Sequence, residues 1–97
     1  DTITMIGLPM FTVKPPSLLT VQQYSTVNVS CDVYGHPTPV IQWSRVFSPI
    51  DQARVKLNRG NMSIKSVQLK DSGIYVCEAR NMYGAIKTAT NITVQGK

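Results

Sequence analysis

Apolar and polar residues alternate with period two in several short stretches of this chain, the mark of strands with one face buried. Val27, Val29, Cys31 and Val33 alternate with Asn28, Ser30 and Asp32. Ile41 and Trp43 are flanked by Gln42 and Ser44, and Tyr75, Cys77 and Ala79 are interleaved with Val76, Glu78 and Arg80. Met62 with Ile64, and Ile92 with Val94, form two more such stretches. Turn signals separate them: Pro15-Pro16, the run from Gly35 to Pro39, Ser48-Pro49, Arg59-Gly60-Asn61, Asp71-Ser72-Gly73 and the run from Asn81 to Gly84. Many short strands with regular punctuation predict an all-β sandwich or barrel. No segment sustains a 3.6-residue period between helix caps, so no helix beyond a single turn is expected.

Composition narrows this to one folded unit. At 97 residues the chain can enclose a single core, and 42% hydrophobic against 15% charged residues is a globular balance. No apolar run approaches the ~18 residues needed to cross a bilayer, so no membrane insertion is expected within this segment. The start at Asp1 has no leader of the secretory kind, and the chain reads as a piece of something longer. Ten Lys and Arg against five Asp and Glu give a net charge of +5. That suits a soluble basic surface and equally a polyanionic partner.

Two cysteines, Cys31 and Cys77, occupy inward positions of two strand patterns, with Trp43 inward between them and Tyr75 two residues before the second. Two inward thiols on facing sheets would be placed to bond; two free buried cysteines, as in a cytosolic protein, are the alternative.

The stretch from Leu69 to Gly84 resembles the F-strand signature of I-set immunoglobulin domains, D-x-G-x-Y-x-C-x-A-x-N-x-x-G. Asp71, Gly73, Tyr75, Cys77, Ala79, Asn81 and Gly84 fill every fixed position. The run from Gly35 to Pro39 before Trp43 is similar to the family's loop between its B and C strands. The resemblance extends from about Pro9 to Val94 and implies an immunoglobulin-like Greek-key β-sandwich of I-set type. It also implies one inter-sheet disulfide, Cys31 to Cys77, with Trp43 covering the bridge and the Tyr75 hydroxyl anchoring the corner before its strand. Such a cross-link should stabilise the domain by about 4 kcal/mol in the chain-entropy model.

On this reading residues 1–8 are an extension or linker, 9–95 the I-set domain and 96–97 a tail. The stretch between Trp43 and Cys77 has room for short C′, D and E strands but not for the C″ strand of variable domains. In the family an arginine at the start of the D strand often pairs with the aspartate at Asp71's place, and Arg54 is the nearest candidate. Where the family usually has Gly before its B strand, this chain has Tyr24. Tyrosine tolerates φ > 0 poorly, so a turn of different geometry is expected.

Candidate chemistry is sparse. The one histidine, His36, lies in a Pro-rich loop without a nucleophile to pair with, and Asp71 and Glu78 do not share a face as an acid and base would. No zinc spacing, phosphate loop or calcium loop is present, so neither an enzyme nor a cofactor is expected. Three glycosylation acceptors occur at Asn28, Asn61 and Asn91, each with its hydroxyl residue on the same outward face. Arg54, Lys56 and Arg59 cluster around the predicted D strand, with Arg54 and Lys56 on one face; they read as edge protection or as a sulfated-glycan patch. Outward Ile74, Val76, Glu78 and Arg80, beside Gln42 and Ser44 of the neighbouring strand, form a candidate partner face.

The resemblance implies a binding or spacer module of a secreted or cell-surface protein, with a homophilic or heterophilic protein partner and no nucleic acid. The alternatives are an intracellular, load-bearing muscle-type domain and an ectodomain module for sulfated glycan or growth factor.

Overall fold

Where the alternation is regular, strands form. The computed structural model describes residues 7–96. Its strands are β1 (Met10–Val13), β2 (Leu18–Gln22), β3 (Val27–Ser30), β4 (Asp32–Tyr34), β5 (Val40–Arg45), β6 (Val55–Asn58), β7 (Asn61–Ile64), β8 (Gly73–Asn81) and β9 (Gly84–Gln95). A single 3₁₀ turn, Leu69–Asp71, precedes β8. One sheet has the order β2-β9-β8-β5 and the other is built from β3-β7-β6 and the β1-β4 pair. All pairs are antiparallel except β2 with β9, which is parallel.

The inward positions of the alternation make the core. Val27, Val29, Met62 and Ile64 come from one sheet, and Trp43, Tyr75, Cys77, Ile92 and Val94 from the other. Cys31 and Cys77 are bonded through it. The bridge closes a separation of 46 residues, a constraint on the unfolded chain of about 4 kcal/mol.

Three sequence expectations change. The B strand is not continuous: it divides at Cys31, where β3 leaves β7 and β4 pairs with β1 instead. The Cys31 N–H then bonds the Gly60 carbonyl at 2.9 Å. No C′ strand forms among the described residues; residues 46–54 are irregular, with bends at 46–48 and a turn at 52–54. There Ile50 packs on the core, and the Asp51 carbonyl accepts from the Arg54 and Val55 N–H groups. Tyr24 does take the left-handed conformation, φ 72°. Its N–H donates to the Val67 carbonyl at 2.6 Å while Ser25 bonds back to the Gln22 carbonyl. Those bonds offset the ~1 kcal/mol that a non-glycine residue loses there. Of the extension expected over residues 1–8, residues 1–6 lie outside the described residues, as does Lys97 of the tail.

Gly60 sits where only glycine fits. A Cβ there would overlap the Cys31 carbonyl oxygen. The Gly60 carbonyl meanwhile accepts from the Trp43 indole at 3.1 Å as well as from Cys31. The turn before β7, the tryptophan and the disulfide are therefore one packed unit.

Two outcomes follow for stability. Replacing both cysteines with Ala should cost about 2–5 kcal/mol in denaturant titration, and native protein from an oxidising source should titrate no free thiol. Gly60→Ala should cost about 3 kcal/mol with the disulfide intact, because backbone has to move away from Cys31; a midpoint equal to that of the parent would refute the close approach.

Candidate functional site

The signature residues around β8 hold a corner together. Asp71 is buried, and its carboxylate accepts from the Arg54 guanidinium at 2.6 Å and the Gln68 N–H at 2.7 Å. The Tyr75 hydroxyl donates to the Asp71 carbonyl at 2.7 Å. Arg45 closes the other side, donating to the Lys70 and Ser72 carbonyls at 2.7 and 2.8 Å with its guanidinium 5.4 Å from the Tyr75 ring centre. Gly73 leaves the room this needs, since a Cβ there would lie 3.0 Å from Arg45 Nε.

Burial alone would push the Asp71 carboxyl up, but the hydrogen bonds from Arg54 and Gln68 outweigh it and hold the group below the ordinary aspartate value. Burial pushes the Tyr75 hydroxyl up. With Asp71 lowered and Tyr75 raised, these groups keep their charge states near neutral pH, which is the chemistry of an anchor. Among the described residues no cluster of His, Cys, Asp and Glu could hold a metal ion, and no helix is long and apolar enough to cross a membrane.

In the basic trio Arg54 makes the pair with Asp71 that the family pattern implied. Arg54 precedes β6, and its guanidinium is committed to Asp71 and to the Ser66 carbonyl. Lys56 on β6 and Arg59 in the turn after it remain exposed, as solvated charges near a strand edge commonly are.

The acceptor asparagines all point outward. Asn28 lies opposite Ser63, and Asn61 opposite Ser30, so two of the triplets run antiparallel in register across β3 and β7. The Ser30 hydroxyl donates to Asn61 Oδ1 at 2.9 Å, leaving Nδ2, the atom a sugar would join, free of that bond. Asn91 is on β9, in the other sheet.

Of the candidate partner face, Gln42, Ser44, Val76, Glu78 and Arg80 lie side by side in register, and Ile74 stands beside Asn91 at one end. Val76 stands between Ser44 and Ala89, Glu78 between Gln42 and Lys87, and Arg80 between Val40 and Ala85. Val40 is 72% exposed, and Arg80 pairs with Glu78 at 2.7 Å. A shallow groove of about 280 Å³ is lined by Val40, Gln42, Glu78, Arg80 and Asn81. The sequence reading missed Val40, Ala85, Lys87 and Ala89. Running the Ile92 and Val94 alternation back along β9 would have found the last three. It also missed Arg45, whose bonds are to backbone carbonyls distant in sequence.

The corner makes a pH prediction. The folded Asp71 pKa is depressed, so its contribution is complete above the unfolded value of about 4 and is lost as pH falls through the folded value. Unfolding followed from about pH 5 down to about pH 2 should lose stability more steeply in the parent than in Asp71→Asn; equal slopes would remove Asp71 from the acid response.

The sequence profile of the immunoglobulin I-set domain matches residues 9–94. The mouse Peroxidasin homolog is 38% identical over 95 residues, covering 96% of this chain but 6% of that protein. The chain thus spans a small fraction of its curated relatives. Among solved structures, the tandem Ig repeats of Dlar superpose with a TM-score of 0.83 at 31% identity, over 97% of this chain and 51% of that one. The insect immune protein hemolin gives 0.83 at 31%, over 90% of this chain and 22% of the other. Matched over nearly its whole length in sequence and in fold, the chain belongs to the immunoglobulin I-set domain family.

Proposed function

We propose that this domain is a non-enzymatic protein-binding module of a secreted or cell-surface protein, and that it meets its partner through the outer face of β5 and β8. The observation that carries the reading is the face itself. Ser44, Val76 and Ala89 form a level strip of small and apolar side chains, and Glu78, Arg80 and Lys87 stand beside it. An apolar centre with a polar rim is how specific contacts are commonly built. None of these side chains belongs to the buried core.

The disulfide supports an oxidising compartment. Related architecture supports a protein partner: the hemolin structure is described as a domain arrangement with implications for homophilic adhesion. A sulfated-glycan role is not favoured, because Arg54 is withdrawn from the basic trio by Asp71.

The test uses beads coated with the domain, for self-adhesion, and the soluble domain applied to cells. Val76→Asp with Arg80→Glu should abolish adhesion in both formats while leaving the melting temperature unchanged, since both side chains face outward. Undiminished adhesion by the folded double variant would reject this face.

A further inference from the structure

The third acceptor asparagine has surroundings unlike those of the other two. Asn28 and Asn61 have serines as their partners across β3 and β7. Asn91 stands between two large apolar side chains, Leu18 on β2 and Ile74 on β8, each its direct register partner. Opposed positions on neighbouring strands put Cβ atoms about 5 Å apart. Leu18 is 64% exposed and Ile74 38% exposed. The adjacent row, Ala89 opposite Val76, is apolar and low, so nothing large shadows the Asn91 amide from that side. Two bulky apolar groups are thus held open to water on either side of an acceptor, on a face that contributes nothing to the core.

We propose that Asn91 carries an N-linked glycan whose first sugar lies over Leu18 and Ile74, making that sugar a structural part of the domain. The inference rests on the extracellular reading above, because the sugar is attached only on the secretory route. In the transfer, Asn91 Nδ2 attacks C1 of an oligosaccharide carried on a lipid pyrophosphate. The N–C1 bond forms, the C1–O bond to phosphate breaks, the amide proton passes to a base and the lipid pyrophosphate leaves. Thr93 supplies the hydroxyl two residues on that the acceptor triplet requires.

An N-acetylhexosamine suits these surroundings chemically. One face of its ring presents C–H groups and its acetyl group ends in a methyl, so laying it over Leu18 and Ile74 removes apolar surface from water on both partners. At Asn28 and Asn61 the same sugar would find hydroxyls instead. The glycan would also take β2 and the Asn91 end of β9 out of contact with a protein partner, leaving the stretch from Ala89 and Val76 to Lys87 and Arg80 as the open part of the face.

The experiment is to secrete the chain behind a leader peptide from mammalian cells, map occupancy by peptide mass, trim every glycan to one sugar and measure Tm. Asn91 should be occupied, and trimming should leave Tm unchanged because only the first sugar touches protein. Asn91→Gln and Thr93→Ala, which abolish the site differently, should each lower Tm by about 4 °C. In a Leu18→Thr/Ile74→Thr background the same changes should produce no shift, and sugar-free protein from a bacterial periplasm should show none either. Occupied Asn28 or Asn61 beside bare Asn91 would overturn this inference and leave the extracellular reading standing. Three bare asparagines would count against both. A Tm loss undiminished without Leu18 and Ile74 would show that the sugar does not act through them.

Discussion

The bond between Cys31 and Cys77 and the cluster packed around it set the terms for the rest of the sandwich. Cys31 sits where the strand changes partners, so its N–H has no ladder to join and turns to the Gly60 carbonyl. The same oxygen receives the Trp43 indole, and Trp43 lies opposite Cys77 in the β5–β8 register. One carbonyl therefore ties together both sheets, the tryptophan and the turn before β7. A buried polar group left without a partner costs more than a made hydrogen bond returns, so the three elements are ordered together.

A second anchor, at the start of β8, engages several of the cations of a chain of net charge +5. Arg54 is held by Asp71 and Arg45 by two backbone carbonyls beneath Tyr75. Arg80 faces Glu78. Formal charge counts these cations equally with free ones. Asp71 and Glu78 offset the charges of Arg54 and Arg80 locally, while the carbonyls that hold Arg45 fix its position without cancelling its charge.

The two outer faces have diverged in character. The β3 and β7 surface is polar, with two acceptor triplets set side by side in antiparallel register. The β9-β8-β5 surface is graded: an acceptor amid large apolar groups at the β2 side, then a low apolar strip, then charges and a shallow groove near β5. The last two regions together set apolar area beside charge, the combination on which the proposed contact rests.

Much of this was legible in the chain. Period-two alternation fixed which side of each strand faces inward, because side-chain direction reverses at every residue whatever the surroundings. The outward direction of Asn28, Asn61 and Asn91, and the inward direction of the two cysteines, needed nothing more than that and the family signature. The cysteine pairing and the Tyr75 corner followed from the resemblance. Three things lay beyond the sequence. The division of a regular pattern at Cys31 depends on which strand lies alongside, and local alternation is the same for either partner. The steric demand on Gly60 comes from backbone far away in sequence, so the residue reads as an ordinary turn glycine. The apolar walls around Asn91 are contributed by β2 and β8, and only the registers that bring Leu18 and Ile74 level with it turn three unrelated positions into one site.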